Sequence, residues 1–129
     1  YDAALGYSRE RVQGGRPIIE HQAVGSMLAD MLMKIEASRS LIWRLGWAVD
    51  HQPDFDPNLP RLAKVFSCEM AVEVSIKALE IFGGAGIMKD SPIEKIHRDA
   101  VTLLHSGGTH QILRLKVARA LAGEDVKGW

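Results

Sequence analysis

An all-α fold, an antiparallel four-helix bundle with short extra helices, is predicted by two features of the sequence. Apolar residues recur every three or four positions over long stretches, which is the period of a helix that buries one face. Clusters of glycine and proline divide these stretches, and no segment shows the alternation typical of a strand. The 129 residues, 47% of them hydrophobic, are enough to bury a core. We therefore expect residues 1–129 to form a single helical-bundle domain.

The first long helix is predicted over residues 21–49, after the break at residues 14–17. The residues before that break have the pattern of the end of an earlier helix. At about 1.5 Å per residue, the first long helix would measure roughly 40 Å. Its apolar residues step by three, four or multiples of these, and they are Val24, Leu28, Met31, Ile35, Ile42, Leu45 and Val49.

The second long helix is predicted over residues 62–82, following a segment at 50–60 that holds three prolines. Gly83 and Gly84 follow it as natural left-handed C-terminal caps. Both long helices carry polar residues at flanking positions, so we expect the chain to bury only half of each.

Two shorter helices complete the predicted bundle. Ser91 is a good N-cap and Pro92 a good first-turn residue, and together they open a helix over residues 92–104. Thr109 caps a final helix over residues 110–122. Because the loops are short, neighbouring helices are expected to run antiparallel.

Charge and hydropathy exclude two classes of function. The 16 Lys and Arg residues balance 16 Asp and Glu residues, so the chain lacks the basic surface typical of nucleic-acid-binding proteins. No apolar run approaches the roughly 18–20 residues that a membrane-spanning helix needs. The single cysteine, Cys68, excludes an internal disulfide. Because the chain begins at Tyr1 rather than at a methionine, we expect it to be a piece of a longer protein.

A metal site is the first candidate for chemistry, because Glu94 and His97 have the i, i+3 spacing that di-iron bundles use. Such a site needs a second Glu-x-x-His pair, which the sequence lacks, although Glu69 and Glu73 could supply further acids. We therefore predict no metal site and interpret the pair as part of a solvated charged face. Cys68 precedes an acid and is interpreted as a semi-buried helical cysteine rather than a nucleophile.

Two glycine clusters are stronger candidates for ligand binding. Residues 83–86 end the second long helix, and Gly107-Gly108-Thr109 opens the last one. A helix N-terminus exposes unpaired backbone N–H groups at its positive end, which suits an anion or a polarised carbonyl. Plain helix capping would explain any single glycine here, so both interpretations stay open.

Several short motifs occur in order along nearly the whole chain. They are YSRERVQGGRPI at 7–18, EHQ at 20–22, LADM at 28–31, IEA at 35–37, AK at 63–64, IFGGAG at 81–86, PIEK at 92–95, RDA at 98–100, GT at 108–109 and AR at 118–119. Together they resemble the C-terminal helical domain of the acyl-CoA dehydrogenase family, flavoenzymes that desaturate acyl-CoA thioesters. The resemblance implies that a helical domain and a β-domain precede this bundle in a flavoenzyme about three times as long.

The resemblance implies α,β-dehydrogenation of an acyl-CoA thioester, with hydride transfer to FAD and reoxidation by an electron-transfer flavoprotein. It also implies a homodimer or homotetramer, in which this domain binds FAD across a subunit interface. We expect the isolated piece to be inactive and not to retain FAD tightly. The resemblance leaves two compartments open, the bacterial cytoplasm and the mitochondrial matrix.

The resemblance also assigns residues to the cofactor. Arg11 would pair with the FAD pyrophosphate, since a guanidinium suits phosphate oxygens. Glu80 and the backbone at Gly83 and Gly84 would hold the dinucleotide of a neighbouring subunit. Glu80 departs from the glutamine that is frequent in the family, and Gly14 stands where an aromatic residue is common.

The loop before the last helix departs from the family at the position of the catalytic base. Many members place a glutamate there, immediately before the Gly-Thr pair, to remove the α-proton as the β-hydride passes to the flavin. Gly107 occupies that position here, so no catalytic side chain is assigned, although its backbone N–H could donate to the thioester oxygen. Thr109 and Gln111 would meet the adenylate side of the flavin.

Three explanations of this glycine stay open. The base could come from an upstream helix outside residues 1–129. The chain could belong to a catalytically silent subunit that supports oligomerisation and FAD binding. The protein could also run a different flavin reaction, such as oxygenation. His105 and His110 flank the site and either could act as a base, but polar residues at a loop and a helix end are the simpler interpretation.

Overall fold

The structure, a computed structural model, describes residues 1–123 of the chain. Its helices are α1 (Asp2–Glu10), α2 (Gln22–His51), α3 (Leu59–Phe82), α4 (Pro92–Thr102) and α5 (His110–Ala122). Two-residue strands, β1 (Val12–Gln13) and β2 (Arg16–Pro17), lie between α1 and α2. Short 3-10 helices at Ile18–Glu20 and Gly83–Ile87 precede α2 and follow α3. The predicted all-α fold is confirmed.

Helix α3 is the centre of the fold, because α1, α2, α4 and α5 all pack against it. Small residues are buried along it, among them Ala63, Ser75 and Ala78, and they let the neighbouring helices approach closely. The core is formed by apolar residues from most of these elements, and its buried members are Ala4, Ile18, Leu28, Met31, Val74, Ala78, Ile81 and Ile93.

The hairpin between α1 and α2 adds two short strands that the sequence pattern did not predict. Val12 pairs with Pro17 and Gln13 with Arg16 in antiparallel register. Gly14 and Gly15 join the strands with φ of +60° and +79°, and two consecutive positive φ angles are the signature of a type I′ turn. Strands of two residues are too short to show alternation, so the sequence pattern missed them.

The predicted helix ends hold to within a few residues. Helix α2 starts one residue later and ends two residues later than predicted, at Gln22 and His51. Helix α3 begins at Leu59 rather than residue 62, because Pro60 is tolerated in a first turn that needs no backbone N–H. Helix α4 ends at Thr102 instead of residue 104, where the backbone changes to i→i−3 turns.

The predicted caps are partly confirmed. The hydroxyl groups of Ser91 and Thr109 accept hydrogen bonds from Ile93 N and Ile112 N, each at 3.4 Å. The prediction of a left-handed cap after α3 is wrong in detail. Gly83 has φ +58° with ψ −140°, outside the left-handed helical region, and the chain continues from it as a 3-10 helix.

The C-terminal half of α2 carries its apolar face into solvent. Of the predicted apolar set, Ile42 and Val49 are 47% and 56% exposed, and Trp43 and Trp47 beside them are 71% and 55% exposed. This confirms that the chain buries only part of the long helices. Periodicity identifies an apolar face, but it does not say what covers that face. Among residues 1–123, no helix combines the length and apolar character needed to cross a bilayer.

Candidate functional site

A cleft of about 400 Å³ lies between the end of α1 and the end of α3. We call it the Arg11 cleft, and it is lined by Tyr7, Arg11, Gln13, Ile18, Ile81, Phe82, Gly83, Gly84 and Ala85. Tyr7 and Phe82 stack in it, with ring centroids 4.2 Å apart and planes at 13°. The stack joins the α1 side of the cleft to the α3 side.

Arg11 is held by its backbone while its side chain stays exposed. Its N–H donates to Tyr7 O at 2.8 Å, and its carbonyl accepts from Ile18 N at 2.8 Å. Within residues 1–123, no carboxylate lies within salt-bridge distance of the Arg11 guanidinium. An exposed guanidinium on a fixed backbone is therefore available to an anion.

The glycines opposite Arg11 leave their backbone open to a ligand. A Cβ added at Gly83 or Gly84 would meet nothing within 4 Å, and Gly83 has a φ of +58° that favours glycine. A guanidinium and bare backbone in one cleft suit phosphate oxygens. Glu80 does not line the cleft. It lies one turn earlier, where its carboxylate accepts a hydrogen bond from Lys77 Nζ at 3.0 Å.

A second cavity, of about 280 Å³, lies between α3 and α5 and has Gln111, His105 and His110 in its lining. Arg114 Nη2 lies 2.6 and 2.7 Å from the two carboxylate oxygens of Glu69, and His110 Nδ1 lies 3.1 Å from one of them. The hydrogen bond from Arg114, and then that from His110, lowers the pKa of Glu69 against the opposing effect of desolvation.

The two histidines of this cavity differ in exposure. His110 is only 4% exposed, whereas His105 lies at the surface. His110 Nε2 is buried, and it has no hydrogen-bond partner within the described part of the chain. Because its Nδ1 is engaged by Glu69, this side chain helps to fasten α5 to α3. Neither imidazole lines the cavity that contains Gly107.

Gly107 lies in the exposed loop between α4 and α5, beside a cavity of about 240 Å³. The loop turns at Gly107 and Gly108, whose φ angles are +64° and +97°. A Cβ at Gly107 would meet nothing within 4 Å, so the space beside this residue is open. The hydroxyl of Thr109 is used as the cap of α5.

The structure thus divides the predicted cofactor residues between two places. Arg11, Gly83 and Gly84 line one cleft, whereas Gln111 lines the α3–α5 cavity. The two cavities have no lining residue in common. Sequence reasoning missed the Glu69–Arg114 ion pair, because its partners are 45 positions apart and neither belongs to a local motif.

The residues considered for a metal have other partners. Glu94 accepts two hydrogen bonds from Arg98, at 3.0 and 3.2 Å. His97 Nδ1 lies 2.9 Å from Ser75 Oγ, on the neighbouring helix α3. In residues 1–123, no group of three or more His, Cys, Asp or Glu side chains is placed to hold a metal ion.

Comparison with known proteins identifies the family. The family model for the acyl-CoA dehydrogenase C-terminal domain matches residues 1–122. The chain belongs to the acyl-CoA dehydrogenase family. The motifs on which the resemblance was based lie within that match, including the segments that form the Arg11 cleft and the Gly107 loop.

Curated relatives of this acyl-CoA dehydrogenase family chain include enzymes named as dehydrogenases and enzymes named as 3-sulfinopropanoyl-CoA desulfinases. This chain is 40% identical to the probable acyl-CoA dehydrogenase YngJ of Bacillus subtilis, over 93% of this chain and 31% of the relative. It is 38% identical to cyclohexane-1-carbonyl-CoA dehydrogenase of Geobacter metallireducens, over 96% and 32%. The 3-sulfinopropanoyl-CoA desulfinase of Paraburkholderia xenovorans is 40% identical, over 96% and 31%. The chain spans about a third of the length of these relatives.

Solved structures of other proteins share this fold. Butyryl-CoA dehydrogenase from Megasphaera elsdenii matches with a TM-score of 0.90 and 30% identity, over 95% of this chain and 32% of that one. A chain from a study of the electron transferring flavoprotein of Acidaminococcus fermentans matches with a TM-score of 0.88 and 38% identity, over 93% and 31%.

Proposed function

We propose that this chain supplies the C-terminal helical domain of an FAD-dependent enzyme that dehydrogenates an acyl-CoA thioester between its α and β carbons. The Arg11 cleft carries the proposal, because it offers a guanidinium without a carboxylate partner in residues 1–123 beside the open backbone of Gly83 and Gly84. These groups fit a dinucleotide pyrophosphate. The names of the dehydrogenase relatives support the acyl-CoA substrate class.

FAD, when bound, would accept the hydride that leaves the β carbon. The Arg11 side chain would bind and orient the pyrophosphate, and Gly83 and Gly84 would let the dinucleotide lie against the backbone. Thr109 and Gln111 would meet the adenylate side of a flavin, with Glu80 one turn from the cleft. Because Gln111 lies outside the Arg11 cleft, we infer that each FAD is bound between two copies of the chain.

A homodimer or homotetramer follows from that arrangement. The exposed indoles of Trp43 and Trp47 on α2 support it, since exposed apolar patches are typical of protein interfaces. An electron-transfer flavoprotein is the proposed oxidant of the reduced enzyme. The match to a chain from a study of such a flavoprotein supports that choice.

The role proposed for Gly107 is confined to its backbone. Its N–H would donate to the thioester oxygen and stabilise the negative charge that develops there when the α-proton leaves. Glycine has no side chain to take that proton, so we assign the base to a group outside residues 1–129. The open space beside Gly107 is consistent with a thioester approaching the loop.

A second candidate is a flavin reaction other than dehydrogenation. It is favoured by the absence of a carboxylate at Gly107, together with 40% identity to an enzyme named as a desulfinase of 3-sulfinopropanoyl-CoA. A reaction that breaks a bond other than α C–H would not need a base at this position. The two candidates share the Arg11 cleft and differ only in what happens at the thioester.

One experiment separates the candidates. The complete reading frame that encodes this chain is expressed, and the purified protein is examined for a flavin spectrum. It is then mixed anaerobically with saturated acyl-CoA thioesters of several chain lengths and with 3-sulfinopropanoyl-CoA. Bleaching of the flavin by a saturated thioester supports dehydrogenation, whereas consumption of 3-sulfinopropanoyl-CoA without bleaching supports the second candidate. A flavin-free protein that consumes none of these thioesters contradicts both.

A further inference from the structure

Lys64 connects the two ends of the loop that carries Gly107. Its Nζ donates to the carbonyl of Leu103 at 3.0 Å and to that of Gly108 at 3.2 Å. Leu103 directly follows α4, and Gly108 lies just before the cap of α5. Lys64 itself belongs to α3, 39 and 44 positions away in the sequence. One ammonium group therefore ties this loop to the central helix.

The loop has little else to fix its shape. Gly107 and Gly108 both adopt positive φ, and glycine populates many other conformations at no steric cost. The remaining bonds are local, such as His105 N to Thr102 O at 3.2 Å and Ser106 Oγ to Leu103 O at 3.4 Å. Within residues 1–123, Lys64 is the only side chain from outside the loop that hydrogen-bonds to residues 103–108.

The charge of Lys64 suits this position. The carbonyl of Leu103 lies at the C-terminal end of α4, where unpaired carbonyls carry partial negative charge. In the described residues, no carboxylate lies within salt-bridge distance of Lys64 Nζ. An ammonium has three donors, so one remains after the two carbonyls are bound. Lys64 also lines the cavity beside Gly107.

We propose that Lys64 is a positioning residue, which holds the Gly107 backbone in the orientation needed to donate to the acyl thioester oxygen. The inference rests on the proposed function, because that function supplies the thioester. Lys64 acts through the loop, by holding the carbonyls at its two ends. Its role differs from that of a helix-packing residue, since its two hydrogen bonds end on loop carbonyls rather than on a helix face.

The test uses Lys64→Met, which keeps the aliphatic stem and removes the donors, in the protein expressed from its complete reading frame. Amide hydrogen exchange over residues 103–109 should become about tenfold faster, as expected when charged hydrogen bonds are lost. The kcat for an acyl-CoA substrate should fall by about tenfold or more, with the KM and the bound FAD unchanged. Lys64→Arg keeps the charge and the donors, so it should restore much of the slow exchange of the loop amides and much of the kcat.

Lys95→Met is the matched control, because Lys95 is an exposed lysine on α4 whose ion pair with Asp99 stays within one helix. It should leave loop exchange and kcat unchanged. Unchanged exchange in Lys64→Met, or faster exchange without a fall in kcat, would overturn the proposal. If the unmodified protein has no flavin and no turnover, the proposed function fails. Exchange of the loop amides still tests the tether in that case, and unchanged exchange refutes it.

Discussion

Tyr7 and Phe82 stack nearly parallel, with their ring centroids 4.2 Å apart and their planes at 13°. Tyr7 belongs to α1 and lies one helical turn before Arg11, and Phe82 is the last residue of α3, immediately before Gly83. The stack therefore sets the spacing between the guanidinium and the glycine backbone on the two sides of the Arg11 cleft. This pair links the packing of the bundle to its proposed cofactor site.

Tyr7→Ala should destabilise the fold and weaken flavin binding together. Both rings are half-buried, so we expect a loss of about 2 kcal/mol in the free energy of unfolding. Urea denaturation measures that loss, and a flavin titration measures the affinity. Tyr7→Phe keeps the ring and removes only the hydroxyl, so it should resemble the unmodified protein. Equal stability of the alanine and phenylalanine variants would contradict a role for the stack.

Gly86→Ala should disturb the same stack from below. A Cβ at position 86 would lie 2.9 Å from Phe82 Cβ and 3.3 Å from Leu79 O, and neither atom can swing away as a flexible chain end can. Relief of the overlap must shift the end of α3, so we expect a loss of about 1–3 kcal/mol. Thermal or urea unfolding measures it. A neutral Gly86→Ala would show that this end of α3 is more adaptable than its packing indicates.

Gly46→Ala should change the free energy of unfolding in the opposite direction, and it serves as the matched control. Gly46 lies within α2, and a Cβ there would meet nothing within 4 Å. Alanine should therefore raise the free energy of unfolding by about 0.5–1 kcal/mol, through the lower entropy of the unfolded chain. The same unfolding experiment reports it. A destabilised Gly46→Ala would indicate that this part of α2 is covered in solution.

The helices could be predicted from the sequence because their signals are local. Periodicity located α2 and α3, and the side chains of Ser91 and Thr109 marked the starts of α4 and α5. The hairpin escaped prediction, because two-residue strands joined by Gly14 and Gly15 show no alternation.

The site could be predicted only in part, and for a related reason. The motifs identified Arg11 and Gly83, but their meeting in one cleft depends on how α1 crosses the end of α3. The tether from Lys64 to Gly108 spans 44 positions, and nothing in the local sequence announces it. Contacts between distant helices are decided by packing, which periodicity describes one helix at a time.

The Glu69–Arg114 pair should make stability depend on pH. Arg114 holds the pKa of Glu69 below its ordinary value of 4.5, so the folded state binds this proton more weakly than the unfolded state. The stabilisation is present above the unfolded pKa and is lost as the pH falls through the lowered folded pKa. Glu69→Gln should therefore be less stable than the unmodified protein at pH 7, and the gap should close in acid. Urea denaturation at pH 7 and in acid measures the difference in the free energy of unfolding.

Glu36→Gln is the control for that experiment. Glu36 pairs with Arg39 on the same helix, and both side chains are about half exposed, so the loss at pH 7 should be small. Because Glu69 is 44% exposed, salt should also weaken the effect of its substitution. A Glu69→Gln gap that persists unchanged in acid would mean that packing of the side chain, and not its charge, fastens α5 to α3.

Arg11→Met should lower the affinity for FAD by about tenfold to a hundredfold, because charged hydrogen bonds to phosphate oxygens contribute roughly 1.5–3 kcal/mol each. Arg11→Lys keeps the charge but not the two-pronged geometry, so its affinity for FAD should lie between those of the unmodified protein and Arg11→Met. Arg9→Met removes a nearby exposed arginine, which lies on α1 and outside the cleft lining, and should leave the affinity unchanged. Flavin fluorescence titration of the apoprotein made from the complete reading frame measures all three. Equal losses in Arg9→Met and Arg11→Met would reduce the effect to net charge, and the cleft would no longer be the phosphate site.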